Sequence, residues 1–192
     1  MTLLQIMPDD APETVLLRTR DDERVISELD AHGVTLRRWP LRTGDTPELD
    51  DQALLDLYRD KIEEVCDRDS MKLVDMARLH PAPTEEWRGR AAKARATFLE
   101  EHQHSEDEVR FFAHGRGLFT LHLDTRVLAV LCEAGDLLSV PAGVRHWFDM
   151  GERPDFAAIR FFQEEDGWVG GFTGAPIAGR FPRLDELTGT AL

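Results

Sequence analysis

From residue 95 onward the chain is cut into short apolar runs: EVRFFAHG, GLFTLHL, RVLAVLCEAG, DLLSVPAG, RHWFDMG and FAAIRFF. Each run has the length of a strand and ends near a glycine or a polar turn, a pattern that suits neither a long helix nor a membrane span. Strands this short and this closely spaced bury their apolar faces by forming an antiparallel barrel or a sandwich. The glycines predict that EVRFFAHG and GLFTLHL are two separate strands.

The first 94 residues have a different character and read as an N-terminal α/β extension. LLRTRDDERVISELDAHGVTLRRWP predicts a strand, a helix and a second strand, with Thr19 as the helix cap and Gly33 as its stop. TPELDDQALLDLYRDKIEEVCDR predicts one helix capped by Thr46, with Pro47 in its first turn. Leu54, Leu57, Tyr58, Ile62 and Val65 would form its apolar stripe. SMKLVDMARLHPAPTEEWRGRAAKARATF reads as a strand, a proline-rich turn and a basic helix or loop. The expected division is a single domain with an extension over 1–94, a barrel core over 95–165 and a loop-rich tail over 166–192, packed on the barrel.

Charge narrows the partners. The 23 Lys and Arg residues stand against 37 Asp and Glu, a net charge of -14. Such a surface repels phosphate backbones and anionic lipid, so neither nucleic acid nor membrane is an expected partner. The N-terminal stretch lacks the basic and apolar regions of a secretory signal. A cytoplasmic protein with Cys66 and Cys132 as reduced thiols is the expectation, and a monomer, since no large apolar surface stripe is evident.

The chemistry lies in EHQHSEDEVRFF. Alternate residues of a strand share a face, so His102 and His104 point the same way, and Glu108 and Arg110 keep that parity. In GDLLSVPAGVRHWF, Pro141 and Gly143 make a turn that feeds His146 into the next strand. His102, His104, Glu108 and His146 are the candidate metal ligands. Imidazoles plus a carboxylate without thiolate suit Fe(II), Ni(II), Mn(II) or Co(II) better than a closed structural zinc. An octahedral ion held by four protein donors keeps two positions open for a substrate that chelates through two oxygens. His32, His80, His114 and His122 read as surface or satisfied-core histidines.

Arg110 and Arg160 interrupt apolar strands, and a buried arginine must find an anion. Either each makes an internal salt bridge or faces outward, or both line a pocket for a negatively charged ligand beside the metal. Phe111, Phe148, Phe162 and Trp168 are candidate apolar walls of that pocket.

HQHSEDEVRFFAHGRG and GDLLSVPAGVRH resemble the two cupin motifs, with Met150 standing where the second usually closes with Asn. The blocks YRDKIEEVC, EHQHSEDEVRFF, VPAGVRHWFDMGERPDFAAIRFF and GWVGGFTG, in order, are similar to the acireductone dioxygenase family. The resemblance implies a cupin-type barrel (jelly roll) and one Fe(II) or Ni(II) per chain on His102, His104, Glu108 and His146. It implies an acireductone substrate, 1,2-dihydroxy-3-keto-5-methylthiopentene, with O2 as co-substrate, in methionine salvage. Arg110, Phe111, Arg160 and Trp168 match the family's pocket residues, and Asp107 matches a position considered for the catalytic base. The iron form would yield formate and 4-methylthio-2-oxobutanoate; the nickel form would yield CO, formate and 3-methylthiopropanoate. Two rivals stand beside this reading: another metal-dependent cupin enzyme, such as a sugar-phosphate or keto-acid isomerase, and a non-enzymatic cupin sensor or storage module.

Overall fold

The computed structural model describes residues 1–42, 49–164 and 169–189. Its strands are β1 (Leu3–Pro8), β2 (Leu17–Thr19), β3 (Thr35–Arg38), β4 (Leu73–Leu79), β5 (His102–Gln103), β6 (Glu108–Leu123), β7 (Arg126–Glu133), β8 (Asp136–Val140), β9 (Arg145–Asp149), β10 (Phe156–Phe162) and β11 (Gly171–Phe172). The helices are α1 (Asp22–Asp30), α2 (Asp51–Leu57), α3 (Arg59–Asp69), α4 (Glu85–Phe98) and α5 (Leu184–Thr188), with a 3-10 turn at Pro176–Arg180. All recorded strand pairs are antiparallel. One sheet runs β11-β5-β9-β6-β7-β1-β2; in the other, β6 lies between β10 and β8, which pair onward to β4 and β3.

β6 belongs to both sheets, which corrects the expectation of two strands there. Its first half pairs with β8 and β10 and its second half with β7 and β9. The glycines bend the strand rather than end it. The pairing with β10 slips by one residue at Ala113, and Gly115 follows with φ +71. A Cβ on Gly115 would stand 1.9 Å from the Asp155 carbonyl oxygen, so only glycine permits this corner.

Both faces of the sheets are covered, which is why the strands read as nearly continuous apolar runs. Along β7, Leu128, Val130 and Cys132 face the interior with Leu4, Ile6, Phe112, Phe119, Leu138 and Phe156. The alternate residues Val127, Ala129 and Leu131 meet Trp147 and the C-terminal Ala178, Phe181, Leu184 and Leu187. On the other sheet, Val109, Phe111, Ala113, Ile159 and Phe161 pack under Trp39 and the α2–α3 stripe of Leu54, Tyr58 and Val65, with Leu57 and Ile62 at its edge.

The N-terminal region departs from expectation in several places. LLQIMP carries no alternating strand pattern, yet as β1 it lies between β7 and β2 and is almost wholly buried. Asp21, not Thr19, caps α1 by accepting from the Arg24 amide; the Thr19 hydroxyl accepts from Asp21 N instead. The expected single helix is two, broken at Tyr58 (φ -105, ψ 15), whose buried ring packs 4.7 Å from Phe111. Asp50 caps α2, while Thr46 and Pro47 lie outside the described residues. Tertiary packing of one aromatic outweighs helix propensity here.

Candidate metal centre

β5 lies between β11 and β9, and His102 pairs directly with His146 of β9. His104 follows β5, and Glu108 opens β6. The ligand nitrogens of His102, His104 and His146 lie within 4.8 Å of one another, and all three side chains are buried. Glu108 joins them, with Oε2 2.6 Å from His146 Nε2 and 3.5 Å from His104 Nε2.

The imidazoles are oriented by backbone carbonyls. Nδ1 of His102 donates to Glu100 O at 2.7 Å, that of His104 to Val169 O at 3.1 Å and that of His146 to Val144 O at 2.8 Å. With the proton on Nδ1, each Nε2 offers a lone pair to the shared centre. Glu108 Oε2 and His146 Nε2 are fully buried without a hydrogen bond, as two acceptors facing a common cation would be. Burial, and after it the neighbouring His146, pulls the His102 pKa down to about 4, which keeps that ligand neutral. Burial opposes ionisation of Glu108, but the Arg110 guanidinium beside it holds the carboxyl well below its ordinary range. The residues fit a divalent ion of intermediate softness.

The Pro141–Gly143 turn is fastened to the ligand loop at two points. Gly143 N donates to His104 O, and Ala142 N donates to Asp107 Oδ1, both at 2.9 Å. Asp107, expected as a base, therefore holds the turn that delivers His146, and it does not line the cavity.

A cavity of about 300 Å³ opens from Glu108 and His102. Arg110 and Arg160 line its polar side; Phe98, Phe112, Phe119, Phe148, Met150 and Phe156 line its apolar side. The two arginines are cross-strand partners, and each guanidinium lies over the Phe162 ring, at 5.2 and 5.3 Å. Each also has a carboxylate: Arg110 reaches Glu108 at 2.8 Å, and Arg160 makes two bonds to Asp75 at 2.7 and 2.5 Å. The internal salt bridge and the pocket thus coexist.

Among the expected walls, Phe148 lines the cavity and Phe162 supports the arginines from beneath. Phe111 does not reach it. Its ring packs tilted against Trp39 at 4.4 Å on the opposite face of the sheet, and Phe112 takes the inward place. Strand parity with Arg110 carried that signal: residue 112 shares the face of residue 110, and residue 111 cannot. Trp168 lies outside the described residues. The tail closes over the site by pairing β11 with β5, which sets the Phe172 ring 5.5 Å from His102.

Sequence reasoning missed Asp149, which is buried and accepts from Arg95 of α4, from Gly151 N and from Leu184 N. It ties the helix carrying Phe98 and Ala94 to the strand carrying Phe148. His122 is a buried core histidine whose Nδ1 lies 2.6 Å from Glu101, which also accepts from Thr173, while its Nε2 is buried without a hydrogen bond, 3.6 Å from Asp9.

A two-sheet β fold with a buried three-histidine, one-carboxylate centre at the mouth of a mixed cavity defines a metal-binding cupin. The comparisons narrow that class. Residues 4–170 match the model of the ARD/ARD' family, and the chain belongs to that family, the acireductone dioxygenases. It is 53% identical to acireductone dioxygenase 1 of Nocardia farcinica, over 98% of this chain and 100% of that one. It is 51% identical to acireductone dioxygenase of Frankia alni, over 97% and 91%. Among solved structures it resembles acireductone dioxygenase from Bacillus anthracis with a cadmium ion in its active center, at TM-score 0.75 and 27% identity, covering 90% of this chain and 98% of that one.

Proposed function

We propose that this chain is a metal-dependent dioxygenase that cleaves acireductone with O2, holding one Fe(II) or Ni(II) on His102, His104, Glu108 and His146. The observation that carries this reading is the convergence of those side chains at the polar end of a cavity whose other end is aromatic. The cadmium in the active center of the Bacillus anthracis relative supports a metal at this position.

A bound divalent ion would supply Lewis-acid chelation of an enediol through two oxygens. The chain's own residues do the rest. Arg110 and Arg160 face the cavity beside Glu108 and stabilise the negative charge of an ionised enediol. Phe112, Phe119, Phe148, Phe156 and Met150 enclose the methylthio tail, exclude water and fix which end of the substrate meets the ligands. Asp107 acts as a positioning residue through the Ala142 amide.

In this reading the iron form yields formate and 4-methylthio-2-oxobutanoate, and the nickel form yields CO, formate and 3-methylthiopropanoate. The enzyme serves methionine salvage as a cytoplasmic monomer. Oxygen-electrode measurement on the metal-loaded protein with acireductone tests the reaction class. One O2 taken up per substrate lost is expected, whereas substrate turnover without O2 uptake would indicate an isomerase.

A further inference from the structure

A second cluster of metal-binding side chains stands apart from the cavity, and we propose that His80, His114 and Asp155 form a surface site for one divalent transition-metal ion. The three residues come from three segments that meet around Phe156. Phe156 pairs with Leu79 on one side and Gly115 on the other. His80 is the residue after Leu79, His114 the residue before Gly115, and Asp155 the residue before Phe156. Their placement is therefore fixed by the sheet register, and the close approach of Gly115 to the Asp155 carbonyl locks it further.

His80 Nδ1 lies 2.9 Å from Asp155 Oδ1, and His114 Nε2 lies 3.1 Å from the same oxygen. The three ligand atoms all fall within 4.8 Å of one another. Donors at about 2.1 Å from an ion and at right angles to one another sit about 3 Å apart, so the spacing suits a cation as well as it suits hydrogen bonds. Two imidazoles and a carboxylate suit Zn(II), Ni(II), Co(II) or Cu(II). At 50%, 31% and 44% exposure, His80, His114 and Asp155 leave room for water to complete the coordination. Each imidazole has to move its proton to the other ring nitrogen to ligate.

The site is separate from the cavity. Glu108 and His114 are six residues apart on β6, roughly 20 Å at the rise of a strand, too far for a shared ligand. At high metal the protein would thus carry more than one ion per chain. Bulk metal content would then overstate the occupancy of the catalytic centre.

Calorimetric titration with Ni(II) of tag-free protein already carrying one Ni(II) per chain tests the proposal. A second event at one ion per chain is expected. His80→Ala and His114→Ala should each weaken it about tenfold or more, while the resident Ni(II) and acireductone turnover stay unchanged. No heat beyond dilution would overturn the proposal and leave a hydrogen-bonded His–Asp–His group. A second event that persists at full strength in both variants would overturn it equally.

Discussion

Glu108 Oε2 lies 2.6 Å from His146 Nε2, and both atoms are buried without a hydrogen bond. Because His146 directs Nδ1 at Val144 O, the Nε2 facing Glu108 is a bare lone pair. Two acceptors at that distance repel unless a cation lies between them. Metal removal should therefore destabilise the whole fold. At a hundredfold excess over its Kd, an ion that binds only the folded state adds about 2.7 kcal/mol. For a chain of this size that corresponds to roughly 5–10 °C in Tm. Calorimetric scans with EDTA and with excess Ni(II) check this; coincident transitions would count against a buried metal centre.

Glu108→Gln keeps the shape of the side chain but removes the charge that faces both the ligand cluster and Arg110. Breaking a buried ion pair from one side costs about 3–5 kcal/mol. The variant should lose metal affinity by at least tenfold, as for disruption of any ligand set, and its denaturation midpoint should fall even in metal-free buffer. An unchanged midpoint without metal would mean that Arg110 does not depend on Glu108.

Gly117 shapes the aromatic end of the cavity from behind. A Cβ there would stand 2.5 Å from the Phe148 ring and 3.0 Å from Phe112. Gly117→Ala should push Phe148 into the cavity and cost about 1–3 kcal/mol of stability through overpacking. Its KM for the methylthio substrate should rise while metal content is retained, and an analogue with a truncated tail should be much less affected. Equal losses for both substrates would place the tail elsewhere.

The Arg95–Asp149 pair sets an acid limit on the fold. Burial raises the Asp149 pKa, but the Arg95 hydrogen bonds and the Leu184 and Gly151 amides outweigh it, so the folded value lies below the ordinary one. A depressed folded pKa contributes stability above the unfolded value, about pH 4, and that contribution is lost as pH falls through the folded value. Urea denaturation of wild type and Asp149→Asn should therefore differ most near neutrality and converge below about pH 4. A constant difference across that range would exclude the ion pair as its source.

What could be read from the residues followed strand parity. His102, His104, Glu108 and Arg110 share a face in the structure, as their alternation requires, and the P-x-G turn carries His146 to them. Parity with Arg110 also pointed to Phe112, and the expectation of Phe111 as a wall overlooked it. Non-local packing was harder to read. Nothing near Tyr58 signals that its ring breaks a helix, and nothing near Gly115 distinguishes a corner from a turn. LLQIMP has no period-2 pattern because β1 is buried on both faces. Asp149 gains Arg95 and Leu184 only through the packing of α4 and α5 against β9, and His80 and His114 gain Asp155 only through the pairing of β4, β6 and β10, so no local motif announces them.

The central claim is that one ligand set serves a metal-dependent cleavage of acireductone. The most direct test is to strip the metal, reload separate samples with Fe(II) or Ni(II), and follow acireductone loss and headspace CO under limited O2. Substrate should disappear with either metal, CO should appear only with Ni(II), and metal-stripped protein and His102→Ala should match the uncatalysed rate. Loss at the uncatalysed rate with both metals, or full activity in His102→Ala, would contradict the account.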